Sequence, residues 1–393
     1  MKESYDVVVV GGGPAGSWTA KHAAEGGASV LLLERDREIG LPVRCAEGVG
    51  VDGLREQIPE FPESWIAQWI DGAFIVAPDG REVEAYSGEK GVVLHRKLFD
   101  AGLAQRASES GAEIVTKASV LGLIREGGFV RGVTVSHLGE TYEIRSRIVV
   151  GADGIESRVG RWAGIRTQTP FTEMESCAQM TLSNLDMDPT KVIFWIGKEW
   201  APGGYFWLFP KGPGVANVGL GISGKFSREK KAIDYLKSFV EQKFPKASIL
   251  TLVAGGVPCG PQLDELVCDG LMLVGDAAHH TDPLSGGGIV NALIGGKMAG
   301  EVAAEAVHKQ DFSKKQLSRY QKQWERKMKK VLQLAYRIKN IIHEFKDEDF
   351  NKIADVVLEL PLEKRTNVEL FKVALRKHPK LILELAATWI RSK

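Results

Sequence analysis

The sequence predicts an α/β fold: a Rossmann-type domain with an inserted antiparallel-sheet domain and a helical C-terminal region. Residues 5–36 read as a strand, a glycine turn, a helix and a second strand (YDVVVVGGGPAGSWTAKHAAEGGASVLLLERD). Residues 201–212 (APGGYFWLFPKG) carry aromatic side chains at alternate positions, which is typical of a strand. Residues 311–393 have the apolar spacing of helices.

The composition is that of an ordinary globular protein. Of the 393 residues, 44% are hydrophobic and 26% are charged, and the length suits two or three domains or one domain with an insertion. The chain has 51 Lys and Arg residues and 50 Asp and Glu residues, so its net charge is +1. This charge gives no reason to expect a nucleic-acid partner. The four widely spaced cysteines form no CxxC pair, so we expect neither zinc nor an iron–sulfur cluster. We also expect a cytoplasmic protein, because we find no signal peptide and no apolar run long enough to span a membrane.

The glycine turn predicts a dinucleotide site. Gly11, Gly13 and Gly16 fit the pattern G-x-G-x-x-G. The first glycine allows a tight turn, the second lets the backbone approach a pyrophosphate, and the third lets the helix pack on the strand. A helix from about residue 14 to 25 would point its N-terminus, including Ala15, at the phosphates.

Glu34 completes this prediction at the end of the second strand, residues 29–33. Its carboxylate can accept both hydroxyls of an adenosine ribose, which favours NAD or FAD over NADP. A second glycine pattern, NVGLGISG at residues 217–224, is followed by no strand that ends in an acid. We therefore interpret that pattern as an outer strand and turn.

Two later segments favour FAD over NAD. In SRIVVGADGIESRVGR (146–161) and DGLMLVGDAAHHTDPLSGGGIVNALIGGKMAG (269–300), a strand runs into Gly-Ala-Asp-Gly or Gly-Asp and then towards a helix. Asp276 can accept a hydrogen bond from a ribityl hydroxyl. The helix N-terminus at Gly287, Gly288 and Ile289 would stabilise negative charge on the pyrimidine side of a reduced flavin.

The paired histidines His279 and His280 follow Asp276. Adjacent histidines do not normally bind one ion from a loop with no acid partner, so we interpret them as residues that fill a loop near the flavin.

The segments GGGPAG, LHRKLFDAGLAQRA (94–107), GADG and GDAAHHTDPLSGGG together resemble the para-hydroxybenzoate-hydroxylase-like FAD enzymes, over about residues 1–310. The resemblance implies a Rossmann-type FAD-binding domain of the glutathione reductase type. It also implies that Arg96 lies near the FAD pyrophosphate and Val120 beside the adenine.

Two further segments resemble the geranylgeranyl reductase family, including archaeal enzymes that saturate the isoprenoid chains of ether lipids. PGGYFWLFP (202–210) matches the family motif Pro-x-x-Tyr-x-Trp-x-Phe-Pro, and GLPVRCAEGVG (40–50) contains the family segment Arg-Cys-small-Glu-Gly. The resemblance implies an FAD-dependent reductase of geranylgeranyl chains, most simply those of digeranylgeranylglycerophospholipids. In the family the second segment borders the flavin, which implies FAD neighbours at Arg44, Cys45, Ala46 and Gly48.

The aromatic strand then predicts the wall of an apolar substrate pocket, with a hydrophobic core as the alternative. Tyr205, Trp207 and Phe209 would share one strand face, where flat rings suit flat alkenes and can stabilise a developing cation. Alkene reduction needs a proton at the less substituted carbon and a hydride at the tertiary carbon. Cys45, Tyr205 and an ordered water are the candidate proton sources. Phe194 and Trp195 are possible additions to the wall.

The segments also predict a discontinuous FAD-binding domain and a sheet domain. The FAD-binding domain would comprise residues 1–70, 93–165 and 265–310, and the substrate-binding sheet domain residues 71–92 and 166–264, including a hairpin at 72–87. Residues 311–393 would form the helical region. Its basic stretch 313–330 is either a solvated face or a contact with anionic lipid, and two amphipathic stretches at 360–390 could cap the pocket or touch a bilayer.

Two other functions stay open at this stage. One is an FAD monooxygenase of the same fold, and the other is a non-catalytic carrier of FAD and prenyl lipid. The electron donor would be a diffusing carrier (ferredoxin, a reduced deazaflavin or NAD(P)H), because we find no second credible dinucleotide motif and no iron–sulfur ligands.

Overall fold

The structure is a computed structural model that describes residues 1–85, 90–365 and 373. The strands, in chain order, are β1 Ser4–Val10, β2 Val30–Leu33, β3 Gly48–Gly50, β4 Ile66–Ile70, β5 Gly72–Val76, β6 Glu82–Ala85, β7 Gly91–Leu94, β8 Glu113–Val115, β9 Ala118–Glu126, β10 Phe129–His137, β11 Glu140–Gly151, β12 Met174–Ser183, β13 Lys191–Ile196, β14 Tyr205–Pro210, β15 Val215–Ser223, β16 Ser248–Pro258, β17 Val267–Cys268 and β18 Leu271–Leu273. The α-helices are α1 Pro14–Glu25, α2 Val51–Gln57, α3 Arg96–Glu109, α4 Arg158–Trp162, α5 Ala232–Lys243, α6 Ile289–Lys309, α7 Lys314–Trp324, α8 Lys330–Ile342 and α9 Asp347–Leu358. A π-helical turn, Glu325–Lys329, follows α7.

The chain divides into two compact units. The first comprises residues 1–43, 96–169 and 258–333, and the second comprises residues 44–95, 170–257 and 334–393. This division groups residues 44–70 with the sheet unit, whereas the sequence-based boundaries grouped them with the FAD-binding domain. Those three-part boundaries stay a prediction.

The first unit is built on an eight-stranded sheet in the order β17-β18-β11-β1-β2-β8, with β10 beside β11 and β9 beside β10. The strands β11, β1, β2 and β8 run parallel, with β18 parallel to β11. Every residue of β2 is buried, because its Val and Leu side chains are covered on both faces. Helix α6 approaches α1 closely at Gly296, where a Cβ atom would lie 2.6 Å from the Ala15 carbonyl oxygen.

The second unit is built on a seven-stranded sheet in the order β16-β12-β15-β14-β13-β5-β6, with a three-stranded sheet β3-β7-β4. From β12 to β6 along this order, neighbouring strands are antiparallel except β13 and β5, which run parallel. The sequence predicted an antiparallel sheet, which these pairs follow except at β13 and β5. The difference arises because the chain reaches β13 from β5 through a long excursion rather than through a hairpin turn.

Helix α5 covers one face of the large sheet. Its Phe239 stacks on Phe206 of β14 with a ring separation of 4.1 Å and contacts Trp195 of β13 at 5.1 Å. Trp195 therefore belongs to the core of this unit and not to the predicted pocket wall.

Most of the elements that the sequence predicted are present. Helix α1 has the predicted bounds, and the predicted hairpin forms β5 and β6. The NVGLGISG segment forms most of β15 and ends just after it, but β15 lies inside the large sheet between β12 and β14 and is not the outer strand that we predicted. Residues 86 and 87 of that hairpin lie outside the described residues, as does most of the stretch 360–390. Within the described part of the chain, every helix is too short or too polar to cross a membrane.

Candidate functional site

The glycine turn between β1 and α1 leaves open space in front of a helix N-terminus. A Cβ atom at Gly16 would lie 1.9 Å from the Gly11 carbonyl oxygen, and one at Gly11 would lie 2.3 Å from the Ala152 carbonyl oxygen. These two glycines are needed by the fold itself. At Gly13, which precedes α1, a Cβ atom would have no neighbour within 4 Å among the described residues. The space over Gly13, at the positive end of α1 beside Ala15, fits a pyrophosphate.

Glu34 is held at the end of β2 by backbone groups. Its Oε2 accepts from the N–H of Gly12 at 2.7 Å, and its Oε1 accepts from the N–H of Asp36 at 2.9 Å. Each carboxylate oxygen keeps a second lone pair that can accept a ligand hydroxyl. Strand β9 starts here, because the N–H of Ala118 donates to the Glu34 carbonyl. Val120 lies two residues further along β9, on the same strand face as Ala118.

Asp276 and the N-terminus of α6 lie together. The Oδ1 atom of Asp276 accepts from the Thr281 hydroxyl at 2.8 Å, and it lies 3.4 Å from where a Cβ atom of Gly288 would be. Gly288 precedes α6, which begins at Ile289 and has no side-chain cap among the described residues. Gly287 is the residue before, and its N–H donates to the Ser285 hydroxyl at 3.2 Å.

Arg96 lies close enough to act electrostatically on Asp276. Burial raises the pKa of the Asp276 carboxyl, while the charge of Arg96 lowers it. Arg96 itself holds a two-bond ion pair with buried Asp100, with both N–O distances 2.8 Å. A cation fixed in this way suits a phosphate neighbour.

Asp153 is a polar residue at this site that the sequence-based list of site residues left out. Its Oδ2 accepts from the N–H of Val159 at 2.9 Å, whereas its Oδ1 is buried without a hydrogen-bond partner among the described residues. Burial raises the pKa of this carboxyl. The Gly-Ala-Asp-Gly segment was the signal that could have identified it. Asp153 lies beside the glycine turn, because its backbone nitrogen is 3.3 Å from where a Cβ atom of Gly11 would be.

His280 and His279 hold the loop after β18 in place through side-chain contacts. The ring of His280 stacks on Trp324 at 3.6 Å, its Nδ1 accepts from the N–H of Gly275, and its Nε2 lies 3.2 Å from the Tyr320 hydroxyl. Burial lowers the pKa of His280 to about 3, so the ring is neutral. His279 bonds to loop oxygens at 3.0–3.2 Å. Within the described residues, no cluster of His, Cys, Asp and Glu could hold a metal ion.

The second unit carries the predicted aromatic face. Tyr205, Trp207 and Phe209 alternate along β14 with Phe206 and Leu208, which are buried on the opposite face. Phe194 of β13 joins them, because its ring contacts Tyr205 at 5.6 Å and Phe209 at 5.5 Å. The Trp207 ring occupies the space beside Gly219 of β15, where a Cβ atom would lie 2.5 Å from the ring.

The loop at residues 44–48 lies against this face. A Cβ atom at Gly48 would lie 2.5 Å from the Phe209 ring, so the ring leaves no room for a side chain at position 48. Cys45 is partly buried, and its Sγ accepts from the N–H of Glu47 at 3.2 Å. Arg44 is exposed and Ala46 is partly buried.

Hydrogen bonds connect the loop to the strands beneath it. The Trp207 indole N–H donates to the side-chain oxygen of Gln179 at 3.0 Å, and the Gln179 amide donates to the Cys45 carbonyl at 3.0 Å. Buried Glu47 accepts from Lys211 at 2.5 Å and from Asn217 at 2.6 Å. Gln179, Lys211 and Asn217 were missed by the sequence analysis, because isolated polar residues in strands have no local signature.

The predicted site residues therefore fall into two groups. The first unit brings together Gly11, Gly13, Ala15, Gly16, Glu34, Arg96, Val120, Asp276, Gly287, Gly288 and Ile289. The second unit brings together Arg44, Cys45, Ala46, Gly48, Tyr205, Trp207 and Phe209.

Two family models match parts of this chain. The family model for the FAD dependent oxidoreductases matches residues 6–44, and the model for the geranylgeranyl reductase catalytic domain matches residues 173–257. The digeranylgeranylglycerophospholipid reductase of Methanosarcina acetivorans is 46% identical over 98% of this chain and 96% of its own length. The chain belongs to the digeranylgeranylglycerophospholipid reductase family.

Two further relatives agree with that assignment. Digeranylgeranylglycerophospholipid reductase 1 of Methanococcoides burtonii is 45% identical over 98% of this chain and 95% of its own length. The crystal structure of a geranylgeranyl bacteriochlorophyll reductase-like protein from Thermoplasma acidophilum has a TM-score of 0.93 and 36% identity, and it covers 98% of this chain and 99% of that one. The predicted fold class and the resemblance are confirmed, and FAD is the cofactor.

Proposed function

We propose that this protein saturates the carbon–carbon double bonds of geranylgeranyl chains, with archaeal digeranylgeranylglycerophospholipids as the substrate class. One observation carries the proposal: in a chain of this reductase family, four aromatic rings share a sheet face against which the Cys45 loop packs. The rings are those of Phe194, Tyr205, Trp207 and Phe209.

The reaction adds one hydride and one proton across each double bond, and reduced FAD supplies the hydride. The aromatic face would bind the hydrocarbon, since each buried CH₂ group contributes about 0.8 kcal/mol. The same rings exclude water and present their electron-rich faces to positive charge that develops on the alkene. Tyr205 belongs to this face and Cys45 lies in the loop packed against it, and both remain candidate proton sources.

We further propose which residues hold FAD. The open turn over Gly13, the N-terminus of α6 and the anchored Glu34 support this placement, because they offer donors to phosphate and flavin and acceptors to ribose. In the first unit, these residues are Gly11, Gly13, Ala15, Gly16, Glu34, Arg96, Val120, Asp276, Gly287, Gly288 and Ile289.

The electron donor would be a diffusing carrier such as reduced ferredoxin, a reduced deazaflavin or NAD(P)H. Each can be supplied anaerobically to the oxidised protein while flavin absorbance is followed. Peripheral contact with anionic lipid is a separate proposal for residues 313–330. Lys314 and Arg319 there form ion pairs with Glu265 and Glu305, so only part of the positive charge is available to a lipid surface. Flotation with anionic and neutral vesicles tests it.

The central experiment incubates the dithionite-reduced protein anaerobically with a digeranylgeranyl glycerophospholipid and follows the lipid by mass spectrometry. We expect gains of about two daltons per double bond. Phe194→Ala should raise KM for the lipid, because it removes a ring from the wall. Tyr142→Ala, which changes an exposed aromatic residue in the first unit, is the matched control and should leave KM unchanged.

An unchanged lipid, with reduced FAD still bound, would refute the reductase proposal for this substrate. Oxygen-dependent hydroxylation of a prenyl or aromatic compound with NADPH would instead support the monooxygenase alternative.

A further inference from the structure

One acidic side chain lies on the aromatic face of the large sheet. Glu175 is on β12, two residues before Cys177, so both side chains project to the same face. Cys177 pairs across the sheet with Gly221 of β15, and Gly221 pairs with Tyr205 of β14. Directly paired residues share a face, so Glu175 and Tyr205 project to the same side.

The glycines around Glu175 bring its carboxyl close to the aromatic strand. The Oε2 atom lies 3.3 Å from where a Cβ atom would be at Gly204, the residue before Tyr205. It lies 3.8 Å from the corresponding position at Gly221. Side chains at these two positions would crowd the carboxyl, and glycine leaves the space beside it open.

One oxygen of this carboxyl lacks a hydrogen bond that would stabilise its charged form, as far as the described part of the chain shows. Its Oε2 is buried and makes no hydrogen bond within the described residues. The pKa of Glu175 is raised to about 8, chiefly by burial and to a smaller extent by the negative charge of Glu173, while the charge of Lys339 lowers it. A carboxyl in this state carries its proton at neutral pH.

The nearby cation is already engaged with another acid. The Lys339 ammonium lies 2.9 Å from Glu173 Oε2, and the Tyr336 hydroxyl donates to Glu173 Oε1 at 3.2 Å. Lys339 is therefore close enough to stabilise a carboxylate at Glu175 but is paired with Glu173. The positive charge of Lys339 therefore lowers the free energy that Glu175 needs to release its proton.

We propose that Glu175 is the acid that protonates the alkene, an inference that rests on the function proposed above. The O–H bond of the carboxyl breaks, and the electron pair of the alkene π bond forms a C–H bond at the less substituted carbon. The hydride then bonds to the tertiary carbon, which completes a two-electron reduction. The carboxylate that remains takes a proton from water before the next turnover.

A carboxylic acid suits this step better than the neighbouring thiol. Burial raises the pKa of Cys177 to about 12, so its proton is far less available than that of Glu175. The carboxylate also forms next to the developing carbocation, where opposite charges attract strongly because water is excluded.

The test compares Glu175→Gln with Glu175→Asp and with the control Glu84→Gln, which changes a carboxyl on β6 of the same sheet. The reduced proteins are mixed anaerobically with lipid, and flavin reoxidation is followed in a single turnover. We expect Glu175→Gln to slow reoxidation by at least about 100-fold without changing lipid affinity, the loss typical of a removed general acid. Glu175→Asp should keep part of the wild-type reoxidation rate, and Glu84→Gln should keep the full rate.

The pH profile and infrared spectrum give independent readouts. The wild-type rate should fall above about pH 8, where Glu175 ionises, and the Glu175→Gln rate should be flat there. Two nearby groups with shifted pKa values titrate outside this range, because burial lowers the pKa of His343 to about 4 and raises the pKa of Cys177 to about 12. The protonated-carboxyl C=O band at neutral pH should disappear in Glu175→Gln.

Each outcome has a distinct meaning. Loss of that band and of rapid reoxidation together in Glu175→Gln would support the proposal. A wild-type protein without the band would overturn it whatever the lipid result, and so would equal reoxidation rates in the wild type and Glu175→Gln. If the wild type reduces no prenyl lipid while the band is present, the proposed function fails, and the acid role fails with it.

Discussion

Substituting alanine for Gly13 separates cofactor binding from folding. Gly13 has φ −71° and ψ −176°, a backbone conformation that alanine adopts easily, and the added methyl group meets no described atom within 4 Å. The stability of the apoprotein should therefore change by less than about 1 kcal/mol. A phosphate over this residue would, however, be displaced by the methyl group.

The expected loss of FAD affinity follows from the hydrogen bonds at stake. A bond between a backbone N–H and a charged phosphate contributes about 1.5–3 kcal/mol, so losing two of them costs at least about 3 kcal/mol. At about 1.4 kcal/mol per tenfold change, Kd for FAD should rise by at least about 100-fold. The assay titrates apoprotein with FAD and follows quenching of flavin fluorescence, while urea unfolding gives the stability of the apoprotein.

Two variants complete this comparison. Gly50→Ala is the matched control, because Gly50 also precedes a helix, has φ −71° and leaves its Cβ position open. It should bind FAD as the wild type does. Gly16→Ala should instead destabilise the apoprotein by at least about 1–3 kcal/mol, since its methyl group would lie 1.9 Å from a carbonyl oxygen. Unchanged FAD affinity in Gly13→Ala would refute the placement of the pyrophosphate.

Three further predictions concern the second unit. Trp207→Phe removes the indole N–H that bonds to Gln179 and should lower the free energy of unfolding by about 1–3 kcal/mol in a urea titration; no change would mean that this bond is dispensable. Glu47→Gln leaves the partly buried Lys211 without its carboxylate and should lower the free energy of unfolding by about 1–3 kcal/mol. Adding Lys211→Met should recover part of that loss, and an additive double variant would contradict the pairing. Because the folded-state pKa of Glu175 is raised from 4.5 to about 8, the free energy of unfolding should fall as pH rises between those values. At about 1.4 kcal/mol per pH unit the fall is at most about 5 kcal/mol, and Glu175→Gln should remove it; equal pH dependence in both proteins would contradict the assignment.

The dinucleotide half of the site could be predicted because its signals are local. The glycine turn, the helix after it and Glu34 follow one another within a single β-α-β unit, so sequence spacing alone places them together. The alternation along β14 likewise predicted which face the three aromatic side chains share.

The polar residues beneath the Cys45 loop could not be predicted, because they depend on strand pairing over long distances. Gln179 meets Trp207 only because both pair with the same residue of β15, Gly219. In the sequence, a glutamine or an asparagine within an apolar strand looks the same whether it faces solvent or a buried partner. Glu175 was missed for the same reason, since its protonated state results from burial that no local pattern records.

The contacts also explain why the two short segments that suggested the family require their particular residue types. Glycine is needed at position 48 because the Phe209 ring occupies the space of a side chain. Tryptophan at position 207 supplies the N–H that binds Gln179, which in turn donates to the Cys45 carbonyl, and phenylalanine could not replace this donor. The loop and the strand therefore act as one structural unit. A substitution in either segment should move both the thiol of Cys45 and the aromatic face.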